Sequence, residues 1–354
     1  MAKKRNTGIE LLRIIAMFGI VLGHFVAHGQ GFTKSMDITN KLFVSEQLVA
    51  AFTAFKVNIF ILITGFFLIN RKEINYKKRI GSIWISELFY SILTTIVLIA
   101  LGLSVSKVEI VKSFLPTITY RYWFVTLYIV LVFVSPMINK VFGEIDKKNY
   151  QKWLIILLVL TCIWQTVMPF ITTIDNEKGY SIIWFVVVYI VGGYIKRFGE
   201  DWKTKKRFLV TIFIIASFAQ TAYSIMFTWL DSKYTNIEIS IPYYNSIFVL
   251  ISSIAIFMIF MNVNIKGIIG KIIVFISPSV FGIYLISDNP LIRGILYDKV
   301  LHCEKYFNQG IKTITIITIM ALIVFISCLL IDFVKRGLFF GFKKVFVKYG
   351  KSTN

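Results

Sequence analysis

The sequence predicts an all-α membrane protein, a polytopic bundle of about ten transmembrane helices. The first observation is composition: 57% of the 354 residues are hydrophobic and 16% are charged, whereas a soluble domain has about 25% charged residues. The second is the grouping of the hydrophobic residues into long runs, because about 20 apolar residues cross a bilayer as a helix. The third is the placement of the basic residues, which concentrate in short segments between those runs.

The apolar runs fall near residues 9–28, 46–69, 80–103, 122–139, 153–170, 181–195, 208–229, 243–263, 272–288 and 313–334. Cytoplasmic loops of membrane proteins carry an excess of Lys and Arg. With the N-terminus inside, the cytoplasmic segments hold 26 basic residues and the outer segments hold 11. This bias predicts a multi-pass protein of the cell membrane with both termini in the cytoplasm. It also explains the net charge of +21 without a nucleic-acid partner.

The chain divides into a transmembrane domain, residues 1–338, and a basic cytoplasmic tail, residues 339–354. The tail alternates basic and aromatic residues, a composition that anionic lipid attracts. Cys162, Cys303 and Cys328 have no C-x-x-C spacing, so we expect free thiols and no metal site.

The stretch Gly8–His28 is the one around which the candidate chemistry is organised, because it carries Glu10, Arg13 and His24 within an apolar run. Eleven helical steps of about 100° bring Arg13 and His24 to one face, roughly 16 Å apart along the axis. Ionisable groups inside a span are functional-site hypotheses by default. A signal peptide, a plain anchor, or an Arg13 that snorkels beside Glu10 are the structural alternatives.

Basic residues in and after the second run add further candidates. Lys56 lies at a depth near that of His24 and is either functional or a snorkelling lysine. Four of the cations in the following loop are Arg71, Lys77, Lys78 and Arg79. They fit the phosphates of a cytoplasmic donor, although topology alone also explains them.

Three residues predicted to lie near the outer surface have side chains suited to a sugar. Trp123 opens the fourth run, where it is either part of an aromatic belt or a surface for stacking sugar rings. Asp288 and Asn289 follow the ninth run. They either hydrogen-bond hydroxyl groups or cap the helix and turn the chain before Pro290.

Five features follow one another along the chain: the Arg13-x10-His24 spacing, Val57–Ile69, Trp123–Pro136, Val188–Ile195 and Ser279–Ile286. In this order they resemble the acyltransferase 3 family of membrane proteins, which move acyl groups, usually acetyl, onto glycans and other acceptors. The resemblance covers about residues 8 to 335. Two positions depart from the pattern: Ser287 stands where many members have a histidine, and adjacent basic residues at 77–79 stand where an R-x-x-R motif is common.

The resemblance implies an enzyme, an acyltransferase that transfers groups other than amino-acyl groups. The donor would be acetyl-CoA or another acyl-CoA, with no bound cofactor, and the acceptor a hydroxyl of a cell-surface polysaccharide or lipid-linked glycan. Arg13, paired with Glu10, would orient the donor with help from the basic loop, and His24 would act as general base. His28 would position the acceptor.

Asn58 and Lys56 are the remaining polar candidates of the second run. They would stabilise the developing oxyanion or position the acceptor.

A transporter or flippase of lipid-linked sugars is the main alternative. Such proteins often show two related halves, whereas this sequence has no convincing internal repeat and its candidate residues concentrate in the N-terminal third. A non-catalytic membrane sensor is a third interpretation, and it leaves Arg13 and His24 unexplained.

Overall fold

The computed structural model describes residues 5–28, 41–71, 73, 75–171, 177–199, 205–234, 243–306 and 311–350. The regular secondary structure in these ranges is helical, with no strand. The helices are α1 (Thr7–His28), α2 (Lys41–Thr53), α3 (Lys56–Leu68), α4 (Tyr76–Ala100), α5 (Lys107–Phe114), α6 (Trp123–Phe142), α7 (Lys147–Leu158), α8 (Trp164–Val167), α9 (Ile182–Phe198), α10 (Lys206–Lys233), α11 (Ile247–Met261), α12 (Gly267–Ile276), α13 (Val280–Ser287), α14 (Pro290–Gly294) and α15 (Ile311–Gly350). Short π-helical segments lie at Val159–Ile163 and Ile295–Val300, and 3₁₀ turns lie at Ser277–Ser279 and Cys303–Lys305.

Eight helical segments in the described ranges are long and apolar enough to cross a membrane by length and composition. They are Thr7–His28, Phe43–Leu68, Lys77–Ala100, Trp123–Phe142, Lys147–Val167, Lys206–Lys233, Gly267–Ser287 and Lys312–Phe340. The shorter helices α9 and α11 coincide with the sixth and eighth predicted runs. The prediction of an all-α, multi-pass membrane protein is therefore confirmed.

The second predicted run is two helices, because the chain breaks at Ala54 and Phe55 between α2 and α3. The Thr53 hydroxyl donates to a backbone carbonyl one turn earlier at 2.8 Å, and the Ala54 amide donates three residues back instead of four. No Gly or Pro marks this position, so the sequence gives no signal for it. The break places Lys56 in the first turn of α3.

Other differences concern connections and ends. The short helices α5 and α14 lie in outer segments that were predicted as loops, and the last helix, α15, continues through residues 339–350 of the predicted tail. The three cysteines are free, as predicted, and all three are buried.

The first helix lies inside the bundle. Leu12, Ala16, Val21 and Phe25 are fully buried, and α1 packs against α2, α3, α11, α12, α13 and α15. A helix with this many packing partners has most of its circumference covered by protein. Its remaining polar face is therefore held in a fixed position relative to the neighbouring helices.

Helices α3 and α9 approach each other closely on one side of α1. A Cβ atom at Gly65 would lie 2.0 Å from the Tyr189 carbonyl oxygen, and one at Gly192 would lie 2.4 Å from the Leu62 carbonyl oxygen. Only glycine permits backbones this close. The contact holds α3, and with it Lys56, in a rigid packing layer.

Candidate active site

A cavity of about 950 Å³ lies alongside α1. Arg13 and His24 both line it, as their shared helix face predicts. Side chains from α2, α3, α4, α6, α13, α14 and three connecting segments complete the wall. The same cavity therefore contains the predicted cytoplasmic end of α1 and its predicted outer end.

His24 faces an acidic side chain at one end of this cavity. Its Nε2 lies 3.5 Å from Asp288 Oδ1, and its Nδ1 is buried with no hydrogen-bond partner among the described residues. Arg293 Nη1 lies 3.3 Å from the same Asp288 oxygen and 3.2 Å from His28 Nε2. We name these residues, His24, His28, Asp288 and Arg293, the histidine cluster.

The Asp288 carboxylate fixes how His24 can react. A carboxylate beside one ring nitrogen favours the tautomer in which that nitrogen carries the proton. The other nitrogen, Nδ1 of His24, then keeps its lone pair and is the position that can accept a proton. Asp288 is 4% exposed and ends α13, where its amide donates to the Tyr284 carbonyl at 2.9 Å.

His24, His28 and Asp288 also have side chains of types that bind metals, and their ligand atoms lie within 4.8 Å of one another. The Arg293 guanidinium already supplies a positive charge to Asp288 and contacts His28. A second cation at this point would be repelled by Arg293. The arrangement is therefore an ion-paired network, and we assign no metal to it.

The opposite end of the cavity is basic. Arg13, Lys78 and Arg79 line it, the last two from the first turn of α4. Glu10 is 7% exposed; its Oε2 lies 3.4 Å from Arg13 Nη1 and accepts from the Ser277 hydroxyl at 2.6 Å. Glu10 therefore holds Arg13 in place and is not itself in the cavity lining.

An aromatic wall of Trp123, Tyr180, Tyr243 and Tyr244 lines the cavity near Lys56. The ring centroids lie 4.6 Å apart for Trp123 and Tyr180, 5.0 Å for Tyr180 and Tyr244, and 4.6 Å for Tyr243 and Tyr244. Burial raises the pKa of Tyr180 to about 12, so its hydroxyl stays neutral at physiological pH. Lys56 Nζ donates to the Tyr243 hydroxyl at 3.2 Å.

Two predicted binding residues are used in helix packing instead. Asn58 is fully buried, donates to the Tyr244 carbonyl at 3.0 Å and accepts from Trp184 Nε1 at 3.0 Å. Asn289 accepts from the Leu291 amide at 3.0 Å, which caps α14, and donates to the Tyr122 hydroxyl at 2.8 Å. Neither asparagine lines the cavity.

The basic loop before α4 is divided by the structure. Lys78 and Arg79 line the cavity, whereas Arg71 and Lys77 are exposed and lie outside its lining. Arg71 Nε donates to the Phe67 carbonyl at 3.4 Å. The structure thus brings part of the predicted donor-binding set to the cavity, and leaves Arg71 and Lys77 on the surface.

Several residues of the site were missed by sequence reasoning. Arg293 lies on α14, and its only signal is Asn289 at the N-cap followed by Pro290, a typical helix start. Tyr180 and Tyr243 lie in connections far apart in the chain, and nothing in the sequence indicates that they meet.

The fold and the cavity define a multi-pass membrane protein with a buried acid–base cluster at one end of a cavity and cations at the other. The chain matches the acyltransferase 3 family, described as an acyltransferase domain, over residues 6–333. This match covers nearly the whole chain, so the protein belongs to that family and is a membrane acyltransferase. Comparisons with curated proteins and with solved structures found no match.

Proposed function

We propose that the protein is an O-acetyltransferase of the cell membrane. It transfers an acetyl group from acetyl-CoA to a hydroxyl of a cell-surface polysaccharide or of its lipid-linked precursor, and both of its termini lie in the cytoplasm. The observation that carries the proposal is the cavity shared by Arg13 and His24. The cations at one end of the cavity fit the phosphates of acetyl-CoA, and the general base at the other end fits its reactive thioester.

The donor would bind with its phosphates at Arg13, Lys78 and Arg79, which are cations suited to phosphate oxygens. Its pantetheine arm would extend along α1 toward His24, roughly 16 Å away by helical rise. This length is comparable to the reach of that arm. The thioester would then lie beside the histidine cluster.

Transfer follows general-base chemistry at His24. The acceptor hydroxyl gives its proton to His24 Nδ1 as its oxygen attacks the thioester carbonyl carbon, which forms the new C–O bond and a tetrahedral oxyanion. Collapse of the oxyanion breaks the C–S bond, and the departing thiolate takes the proton back from His24. Asp288 stabilises the imidazolium that exists between these steps.

The proposal is tested by measuring transfer of radiolabelled acetyl from acetyl-CoA into glycan in membranes of the source organism. Wild-type protein should label the glycan, and His24→Gln should lower the rate by about 100- to 10,000-fold, the usual loss for a general base. His302→Asn is the matched control, because this exposed histidine lies outside the cavity. Protein amounts are compared by immunoblot.

Equal labelling by wild type and His24→Gln would refute the role of His24. Absence of acetyl transfer together with movement of a lipid-linked sugar across the membrane would favour the transporter.

A further inference from the structure

Lys56 carries a buried positive charge that has no acidic partner in the part of the chain that the structure describes. Lys56 is 4% exposed, so its ammonium does not extend to the protein surface as that of a snorkelling lysine would. Its described hydrogen bond is the donation to the Tyr243 hydroxyl. None of the ion pairs among the described residues includes Lys56, so no carboxylate of these residues lies within ion-pairing distance of its Nζ.

The lysine faces the reacting end of the cavity. Lys56 and His24 both line it. A Cβ atom at Gly23 would lie 2.5 Å from Lys56 Nζ, so the ammonium rests against the turn of α1 that carries His24. The ammonium and the base are therefore close enough to act on one bound molecule.

The positive and negative charges at this end of the cavity do not balance. Asp288 is the acidic side chain among the described residues of the cavity lining, and Arg293 already pairs with it at 3.3 Å. The charge of Lys56 is left over. An uncompensated buried charge is costly, so such a group is expected to meet an anion when the site is filled.

The reaction supplies only a transient anion, the tetrahedral oxyanion, and the imidazolium formed on His24 compensates its charge. Proton transfer to His24 creates an imidazolium at the same time as the oxyanion forms, so the net charge of the site is the same before and during transfer. The phosphates of the donor bind at the opposite end, beside Arg13. The remaining source of a permanent negative charge near Lys56 is the acceptor.

We infer that the Lys56 ammonium binds an anionic group of the acceptor glycan, either a carboxylate on a sugar ring or the phosphate of a lipid-linked sugar. The inference rests on the proposed function and specifies its substrate class. The aromatic wall supplies the complementary surface, because Trp123 and Tyr180 present apolar ring faces and Tyr243 presents a hydroxyl beside the ammonium. Lys56 is then a specificity-determining residue that distinguishes acidic from neutral acceptors.

The first test identifies the charge of the acetylated product. Membranes of the source organism are incubated with radiolabelled acetyl-CoA, and the labelled glycan is applied to an anion-exchange column. We expect retention of the label. Loss of retention after carboxyl reduction identifies a sugar carboxylate, and loss after mild acid cleavage of the phosphate linkage identifies the lipid-linked phosphate. A labelled glycan that passes through unretained overturns the inference and leaves the proposed function intact.

The second test asks whether Lys56 is the residue that recognises the charge of the acceptor. The extracted glycan, untreated or with its identified anionic group neutralised, is supplied to wild type and Lys56→Gln. Neutralisation should lower kcat/KM of the wild type by about 10- to 100-fold, the range for hydrogen bonds to charged groups, and should change that of Lys56→Gln little. Lys112→Gln is the control, because the Lys112 side chain is 44% exposed and pairs with Glu109 outside the cavity.

Thermal stabilisation by acetyl-CoA distinguishes a failure of the inference about Lys56 from a failure of the proposed function. Lys56→Gln should melt at a higher temperature with acetyl-CoA, as the wild type does, which shows that it is folded and binds donor. Equal kcat/KM of the wild type for both forms of the glycan overturns the inference alone. No transfer and no stabilisation of the wild type by acetyl-CoA overturns the proposed function and the inference with it.

Discussion

At the scale of single residues, His24 depends on Asp288, which is 264 positions later in the chain and 3.5 Å away in space. Because the carboxylate holds the imidazole and stabilises its protonated form, the two side chains act as a unit in the proposed transfer. Residues that act as a unit give strongly non-additive effects when they are substituted together. This property distinguishes a catalytic pair from two independent packing residues.

We predict that Asp288→Asn lowers the rate of acetyl transfer by about 100- to 10,000-fold, the same range as His24→Gln. The double variant should be about as slow as either single variant. His28→Gln should retain measurable activity, because His28 contacts Arg293 and has no contact with Asp288 among the described hydrogen bonds. The measurement is labelled transfer in membranes, normalised to protein amount. Multiplicative losses in the double variant would contradict the pairing.

We predict a second residue-scale effect on donor affinity. Arg13→Ala should remove much of the rise in melting temperature that acetyl-CoA gives the wild type, because it deletes a phosphate-binding cation from the cavity. Glu10→Gln should give a smaller loss, since Glu10 only holds Arg13 in place. Lys77→Ala is the matched control, because Lys77 is exposed and outside the lining. Equal stabilisation of all four proteins would remove Arg13 from the donor site.

Sequence periodicity could predict one part of the site and not the rest. Arg13 and His24 belong to one helix, so their common face follows from the helical repeat. Asp288 was a candidate from its polarity, but its contact with His24 depends on how α13 packs against α1. Asn58 was also a candidate, and it is used in packing because its amide meets Trp184 and a carbonyl from a distant segment. Such long-range pairings leave no local pattern.

At the scale of elements, α4, α13 and α15 meet at a buried polar contact. Tyr90 on α4 donates to Asp332 Oδ1 on α15 at 2.7 Å, and Asp332 is 3% exposed. A Cβ atom at Gly282 on α13 would lie 2.1 Å from the same oxygen. The three helices are therefore joined through one carboxylate, and two of them carry residues of the cavity wall.

We predict that Tyr90→Phe lowers the free energy of unfolding by about 1–3 kcal/mol, because it leaves a buried carboxylate oxygen without its donor. Gly282→Ala should also lower the melting temperature, since the new methyl group overlaps Asp332. Tyr234→Phe is the control, because Tyr234 is 48% exposed and ends α10. Melting curves of the purified proteins in one detergent give the comparison. Unchanged melting of Tyr90→Phe would show that the contact contributes nothing to stability.

Long apolar runs predict the long helices of this bundle well, because each helix needs enough hydrophobic length to cross a bilayer. It does not predict the break between α2 and α3, which has no Gly or Pro. The short helix α14 has a recognisable start but is too short to show a period. These two features place Lys56 and Arg293 at the cavity; Lys56 was a candidate from the sequence, whereas Arg293 was not.

At the scale of the whole molecule, the orientation of the bundle decides which end of the cavity meets the cytoplasm. The basic end, with Lys78 and Arg79, belongs to a segment predicted to lie inside, and Arg293 belongs to one predicted to lie outside. The proposed transfer, from a cytoplasmic donor to a cell-surface acceptor, requires this orientation. If the bundle were inverted, acetyl-CoA would face the histidine cluster first.

We therefore predict that Lys148→Cys is protected and Lys299→Cys is labelled when intact cells meet a membrane-impermeant thiol reagent. Both positions are exposed, one before the fifth predicted run and one after the ninth, so accessibility differs only through the membrane. The native thiols Cys162, Cys303 and Cys328 are buried, which keeps the background of the unmodified protein low. Permeabilised cells provide the control, because both variants should then react. Labelling of Lys148→Cys in intact cells, with Lys299→Cys protected, would reverse the orientation and remove cytoplasmic donor entry at Arg13.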